Sequence, residues 1–253
     1  VECDYVVIGG GIVGGCIAYY LSRNNKEVIC IDSGEFSGSN SNAGSIHVQL
    51  QSRNFRLNPH LIDNLLENLP FYKEAVNAWD RLRLMLDVDF DLRVNGGLMV
   101  ADNEEQMEFL YKKCQKEKAA GLDVEIMDSN KIKKIYPFLS NKVVGAEFCA
   151  HEGKLNPLVA NKSLQEASIR SGVKIMKCET VNHIELRNNE YLINTNLRDY
   201  ICEKVIIAAG SGSGKLANFL NINIPTIAEP LHMNVTEKVS MFIPILIQHA
   251  ERS

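Results

Sequence analysis

The chain has 253 residues, 45% of them hydrophobic and 23% charged, with a formal net charge of −4. That length allows one large or two modest domains, and the balance is that of an ordinary soluble globular chain. The slight acidity and lack of a basic block argue against nucleic acid or an anionic membrane as partner, and no apolar run reaches bilayer-spanning length.

In chain order, Asp4-Tyr-Val-Val-Ile8 reads as a short apolar strand. It runs into Gly9-Gly10-Gly11-Ile12-Val13-Gly14 and then an apolar helix over 12–23. Gly9, Gly11 and Gly14 fit G-x-G-x-x-G with a strand before and a helix after, the context that gives the pattern meaning. Gly9 permits the tight turn. Gly11 lets backbone approach a pyrophosphate. Gly14 lets the helix lie close to the strand. The helix N-terminus offers unpaired N–H groups and a positive dipole end to phosphate. The stretch is not read as a signal peptide, because it lacks a basic leading region and Asp4 precedes it. Glu27 to Ile31 reads as the next strand, closed by Asp32, 18 positions after Gly14. A carboxylate there accepts hydrogen bonds from a ribose and repels a 2′-phosphate, which favours FAD or NAD over NADP.

A polar, glycine-rich loop follows from Ser33 to Ser45. Residues 60–83 carry apolar side chains at helical spacing, with Pro70 set to kink or split the helix. Asp91 to Ala101 has a turn signal at Asn95-Gly96-Gly97 and reads as a hairpin arm. Asn103 to Ala120 is a charged helix closed by Gly121. A strand at 123–127, a helix at 129–135, an alternating strand at 143–149 and a helix at 158–170 come next. Four strands then crowd together at 173–178, 181–186, 191–195 and 200–208. They read as a further parallel strand, a small meander and a final buried parallel strand, which shows as a continuous apolar run. The expected organisation is therefore interleaved. Residues 1–58 plus 152–225 build a nucleotide-binding domain, and 59–151 plus 226–253 build a second one.

The cysteines at 3, 16, 30, 114, 149, 178 and 202 form no C-x-x-C pair or zinc-like cluster, and an odd, dispersed set suits a reducing compartment. No metal site is expected, since His151, His183, His232 and His249 are too dispersed. Gly210-Ser-Gly-Ser-Gly-Lys215 is not a P-loop: Ala209 stands where the first glycine belongs, and Leu216 where a magnesium-binding hydroxyl belongs.

IGGGIVGGCIAYYL, VICIDSG and SGSNSNAGSIH together resemble the amino-terminal half of the FAD-dependent D-amino-acid-oxidase-like oxidoreductases, a family that includes glycine oxidase and sarcosine oxidase. The run from Ser41 to Arg53 is most similar to the flavin subunits of hydrogen cyanide synthase and opine oxidase. The likeness extends through His151 to Pro157 and Ile206 to Gly210. It implies an α/β fold, in which an FAD-binding Rossmann-like domain of parallel sheet plus β-meander is interleaved with a mixed α+β substrate domain. It also implies FAD as cofactor. Ile12 and Val13 would present backbone N–H groups to the pyrophosphate. Asp32 would hold the adenosine ribose, with Ser33 beside it. Asn40, Ser41, Ala43, Gly44 and Ser45 would form the second phosphate and flavin loop. Val181 would offer main-chain hydrogen bonds to adenine, and Ala209 and Gly210 would pass beside the dinucleotide.

The resemblance implies oxidation of an amino acid or secondary amine at Cα–N by hydride transfer to flavin, with the protein supplying orientation and electrostatics. His47, just after the flavin loop, is the acid/base candidate. Arg53 and Arg56 are candidates for a substrate carboxylate. The family's chains run further. The late glycine-rich turn that closes the FAD site, and the region that usually supplies a carboxylate-binding arginine or a flavin-linking cysteine, are not seen. The chain therefore reads as a truncated form, with strands in Pro225 to Pro244 left without partners. An NAD-dependent dehydrogenase and a non-catalytic subunit that serves as a binding partner stay open as alternatives. Expected partners are a small amine or amino-acid substrate and either a homo-oligomer or other subunits of a heteromeric dehydrogenase. The expected compartment is the cytoplasm, with membrane association only through a partner.

Overall fold

The apolar run that ends at Ile8 forms β1 (Glu2–Ile8) in the computed structural model, which describes residues 1–35, 37–228, 232–237 and 239–251. After it come α1 (Ile12–Ser22), β2 (Val28–Asp32), β3 (Ser45–Ile46), α2 (Ser52–Leu57), α3 (Ile62–Glu67) and α4 (Leu69–Leu86). Then follow β4 (Gly97–Ala101), α5 (Glu104–Ala119), β5 (Val124–Asp128), α6 (Ser129–Ile135), β6 (Gly145–Cys149) and β7 (Gly153–Lys154). The remainder is α7 (Pro157–Arg170), β8 (Lys174–Lys177), β9 (Val181–Arg187), β10 (Glu190–Thr195), β11 (Asp199–Ile207), α8 (Ser213–Ala217) and β12 (Leu246–His249). None of the helices among the described residues is long and apolar enough to cross a membrane.

The chain divides into two compact units, residues 1–43 with 156–234 and residues 44–155 with 235–253. The first holds a six-stranded sheet in the order β8-β2-β1-β11-β10-β9. β1 lies between β2 and β11, parallel to both, and β8 extends the parallel part beyond β2. β10 and β9 complete the sheet as an antiparallel meander. Val6, Val7 and Ile29 are fully buried because both faces of these strands are covered. Val6, Ile29, Ile31 and Tyr200 pack on one face; Val7, Ala18, Val28 and Cys30 pack on the other, under α1. α7 starts where its sequence says it should. Asn156 Oδ1 accepts from the amides of Leu158 and Val159 at 3.1 and 3.3 Å, and Pro157 sits in the first turn.

The second unit carries a four-stranded sheet, β12-β4-β6-β5, and the short pair β3-β7. Pro70 lies in the first turn of α4, and the expected long helix is split there into α3 and α4. α5 is capped by Asn103 Oδ1, which accepts from the Gln106 amide at 2.9 Å, with Glu104 and Glu105 in the first turn and Lys116 and Lys118 in the last.

Two expectations fail here. Asn95-Gly96-Gly97 does not close a hairpin. Residue 93 pairs with Lys154, whereas β4 pairs with β6 on one side and β12 on the other. Gly96 does take a positive φ of 94°, but a Cβ there would strike the Phe148 ring, and one at Gly97 would strike Glu152. The glycines serve close packing. The strands expected within 225–244 are also absent from the described residues of that segment, and β12 lies just beyond it. Prolines at 225 and 244 remove ladder donors there, which disfavours a strand. Residues 229–231 and 238 of that stretch lie outside the described residues.

A buried polar network joins the elements of the second unit. Lys113, Glu117, Glu147 and Glu152 are all fully enclosed. Lys113 Nζ donates to Glu117 and Glu147 at 2.8 Å each, and the Leu50 amide donates to Glu117 at 2.6 Å. Glu152 accepts from the amides of Val48 and Gln49 at 3.1 and 3.2 Å, and from Gln49 Nε2 at 2.8 Å. Buried charges survive only when paired and hydrogen-bonded in this way.

Candidate dinucleotide site

The site is built at the carboxyl ends of β1, β2 and β11. The chain leaves β1 through Gly9, whose φ of 109° a side chain would make costly. Its amide donates to Ile31 O at 2.8 Å, and a Cβ on it would collide with Ala208 O. Gly14 lies on α1 directly over the turn, where a Cβ would overlap Gly9 O. The spacing of the motif is thus the spacing of backbone contacts: strand end, helix cap, helix seated on the turn.

Gly11 caps α1 in an extended conformation, with no side-chain hydrogen bond of its own. The Ile12 amide donates to Ser39 Oγ at 2.9 Å, which leaves the Ser39 hydroxyl proton free to point at an anion over the helix end. Asp32 closes β2 with both carboxylate oxygens on backbone. The Gly10 amide donates to Oδ2 at 2.5 Å and the Gly34 amide to Oδ1 at 2.9 Å. Each oxygen keeps a lone pair for a further donor. Under the turn, burial first and Asp32 second push the Cys30 thiol up to about 12, so it stays protonated, with Sγ 3.8 Å from Gly9 O.

The polar loop after Asp32 is ordered by its own side chains. Ser37 Oγ accepts from the Ser39 amide at 3.2 Å, and Asn42 Nδ2 donates to Gly38 O and Ser39 O at 2.9 and 3.1 Å. Beside the end of β2, the Glu179 amide donates to Asp32 O at 3.0 Å. The buried Glu179 carboxylate is held by Tyr200 OH at 2.8 Å and Thr195 Oγ1 at 2.6 Å. Burial first and Glu179 second push the Tyr200 phenol up to about 12, so it remains a donor.

The structure therefore gathers Gly9, Gly11, Ile12, Gly14, Asp32 and Ala209 about one end of the parallel strands. Val13 is on the same first turn of α1, largely exposed. Val181 opens β9 and packs against the core face that includes Ile29 and Ile31. Gly210 follows β11 with a φ of 56°. Ser33 is exposed, and its hydroxyl accepts from the Glu35 amide at 3.3 Å. Asn40 ends a short turn and is tied to α7, while Ser41 and Ala43 are exposed. Gly44, Ser45, His47 and Arg53 belong to the second unit. There Gly44 O accepts from the Leu155 amide at 2.9 Å, and Ser45 pairs with Lys154. His47 Nδ1 lies 3.9 Å from Glu152, and Arg53 is exposed on α2. Arg56 is occupied by Ala250 O at 3.2 Å.

Sequence reasoning missed Gly10, Ser39, Asn161 and Gln165. Ser39 carried a signal, two residues from Ser37 in a polar loop beside the fingerprint. Asn161 and Gln165 carried none, because they reach the site from α7, far along the chain.

A family model described as "DAO: FAD dependent oxidoreductase" matches residues 4–244. The chain is 26% identical over 225 residues to glycine oxidase of Bacillus subtilis (strain 168), covering 87% of this chain and 57% of that protein. It is 23% identical over 254 residues to one of the subunits of opine oxidase from Agrobacterium tumefaciens (strain Ach5), covering 97% of this chain and 66% of that one. The chain thus spans less than two thirds of either relative's length. Among solved structures, glycine oxidase of Geobacillus kaustophilus superposes with a TM-score of 0.77 at 19% identity, over 88% of this chain and 59% of its own; the shared property is the fold.

Proposed function

Because the chain belongs to the DAO family of FAD-dependent oxidoreductases, we propose that its first unit holds the FAD of an enzyme that oxidises the C–N bond of an amino acid or secondary amine. One observation carries the reading. The glycine turn, the open end of α1 and the Asp32 carboxylate converge at the ends of three parallel strands, and Gly9 and Gly14 have no room for a Cβ. These residues suit the group chemically. Gly11, Val13 and Ser39 offer donors to a diphosphate, the expected Ile12 amide being given to Ser39 Oγ instead, and Asp32 offers acceptors to ribose hydroxyls. Val181 would meet adenine through its backbone, with Ser33, Ala209 and Gly210 alongside. Asn40, Ser41, Ala43, Gly44 and Ser45 are proposed for the remaining phosphate and flavin contacts.

FAD supplies the acceptor for a hydride from the substrate Cα. The chain's own residues are proposed to bind and orient the substrate. His47, beside the buried Glu152, is assigned proton exchange, and Arg53 is assigned a substrate carboxylate. Substrate class is drawn from the relatives, whose names point to glycine and opines. The opine oxidase relative is one chain of a larger enzyme by its name, which supports a heteromeric assembly for this protein as well. The test is reconstitution with FAD followed by dye reduction with glycine, proline and D-amino acids, alongside NAD+ reduction with the same substrates. Dye reduction by an amine supports the reading. NAD+ reduction alone, in a protein that binds FAD poorly, contradicts it.

A further inference from the structure

α7 packs against α1 along a face formed by residues 161, 164, 165 and 168, the i, i+3, i+4, i+7 positions that share one side of a helix. At the seam, Leu164 is fully buried against Gly15, close enough that a Cβ there would lie 3.0 Å from Leu164 Cδ2. Two amide side chains reach from this seam. Gln165 Nε2 donates to Gly10 O at 2.9 Å. Asn161 Nδ2 donates to Asn40 Oδ1 at 2.9 Å. Asn161 is 3% exposed, and its Oδ1 has no hydrogen-bond partner among the described residues. Its orientation is thus set by the loop it holds.

The Gly10 contact has a stereochemical consequence. The Gly10 carbonyl and the Gly11 amide belong to one planar, trans peptide, so they point in opposite directions. Fixing the carbonyl toward Gln165 fixes the Gly11 N–H away from α7. On its other side, Gly10 is held through its own amide by Asp32. Gly10 is therefore held through the peptides on both its sides, its amide by the Asp32 carboxylate of β2 and its carbonyl by the Gln165 carboxamide of α7. Ser39, which receives the Ile12 amide, lies next to Asn40, held by the same helix face.

We propose that Gln165 and Asn161 are positioning residues for the diphosphate of the dinucleotide. Gln165 aims the Gly11 N–H, and Asn161 sets the serine loop over the end of α1. This rests on the FAD reading above. Neither side chain touches the ligand; each acts through a backbone or side-chain donor that does.

The test compares ligands that contain the diphosphate with one that lacks it. FAD, ADP and adenosine are titrated into the wild-type chain, Gln165→Met, Gln165→Glu and Asn161→Ala. Gln165→Met keeps the packed stem and deletes the donor. It is expected to weaken FAD and ADP about fivefold, the worth of one hydrogen bond, with adenosine unchanged. Gln165→Glu sets a carboxylate against Gly10 O and weakens them further. Asn161→Ala gives a loss like that of Gln165→Met. Variants that bind FAD and ADP like the wild type overturn the proposal alone. So does an equal loss for adenosine and ADP, which marks general destabilisation. A wild-type chain that binds neither FAD nor ADP overturns the FAD reading itself, and this proposal with it.

Discussion

Glu117 shows what one buried carboxyl does to the second unit. Lys113 faces both Glu117 and Glu147 at 2.8 Å, so one cation stands between two enclosed carboxyls. Burial first, and Glu147 against the pull of Lys113, push the Glu117 carboxyl up to about 8. The Lys113 ammonium is also pushed up, by Glu117 and Glu147, against its own burial. Both shifts are satisfied if the lysine is charged and Glu117 keeps a proton. The folded pKa of Glu117 lies above its unfolded value of 4.5, so the folded state binds the extra proton. The contribution is full below the unfolded pKa and is lost as pH rises through about 8. The denaturation midpoint should fall as pH rises from 4.5 to about 8 and level off above that, measured by denaturant titration. Glu117→Gln, which stays neutral, should flatten that dependence. An unchanged slope in the variant would place the titrating group elsewhere.

Among the elements, the first strand–turn–helix unit was the most legible, because its function and its packing use the same glycines. Gly14 is the sharpest case. A Cβ there would overlap Gly9 O, so Gly14→Ala must push α1 off the turn. A cost of about 1–3 kcal/mol is expected from overpacking of this kind. FAD affinity should fall with it, read by thermal unfolding and titration of the same variant. A variant that melts and binds like the wild type would mean that α1 is not seated on the turn. The Asn95-Gly96-Gly97 signal was misleading for a physical reason. Glycine marks close approach as well as reversal, and here Phe148 and Glu152 are what approach. The buried network was invisible for another reason. Lys113 and Glu117 read as one turn of a charged surface helix, and nothing local says that Glu147 and Leu50 meet them.

At the scale of the whole molecule, the parallel strands were readable because strands covered on both faces show as unbroken apolar runs. β1, β2 and β11 are such runs, and the meander β9–β10 showed as strand candidates in close succession. What sequence could not give was contact at a distance: α7 supporting the glycine turn, or Glu179 holding the end of β2 across the meander through Tyr200 and Thr195. Substrate recognition was the least legible part. The chain spans less than two thirds of the curated relatives it matches, so the likeness fixes a family and a fold while the reacting end of the site rests on His47 and Arg53 as proposals.

Where the dinucleotide sits is addressed directly by one titration. FAD is added to the wild-type chain and to Asp32→Ala while quenching of flavin fluorescence is followed, with ADP as competitor. Saturable binding that ADP displaces, weakened roughly 10- to 100-fold in Asp32→Ala by loss of charge-assisted hydrogen bonds to the ribose, is the predicted result. Binding that is indifferent to both ADP and Asp32, or no binding at all, would contradict it.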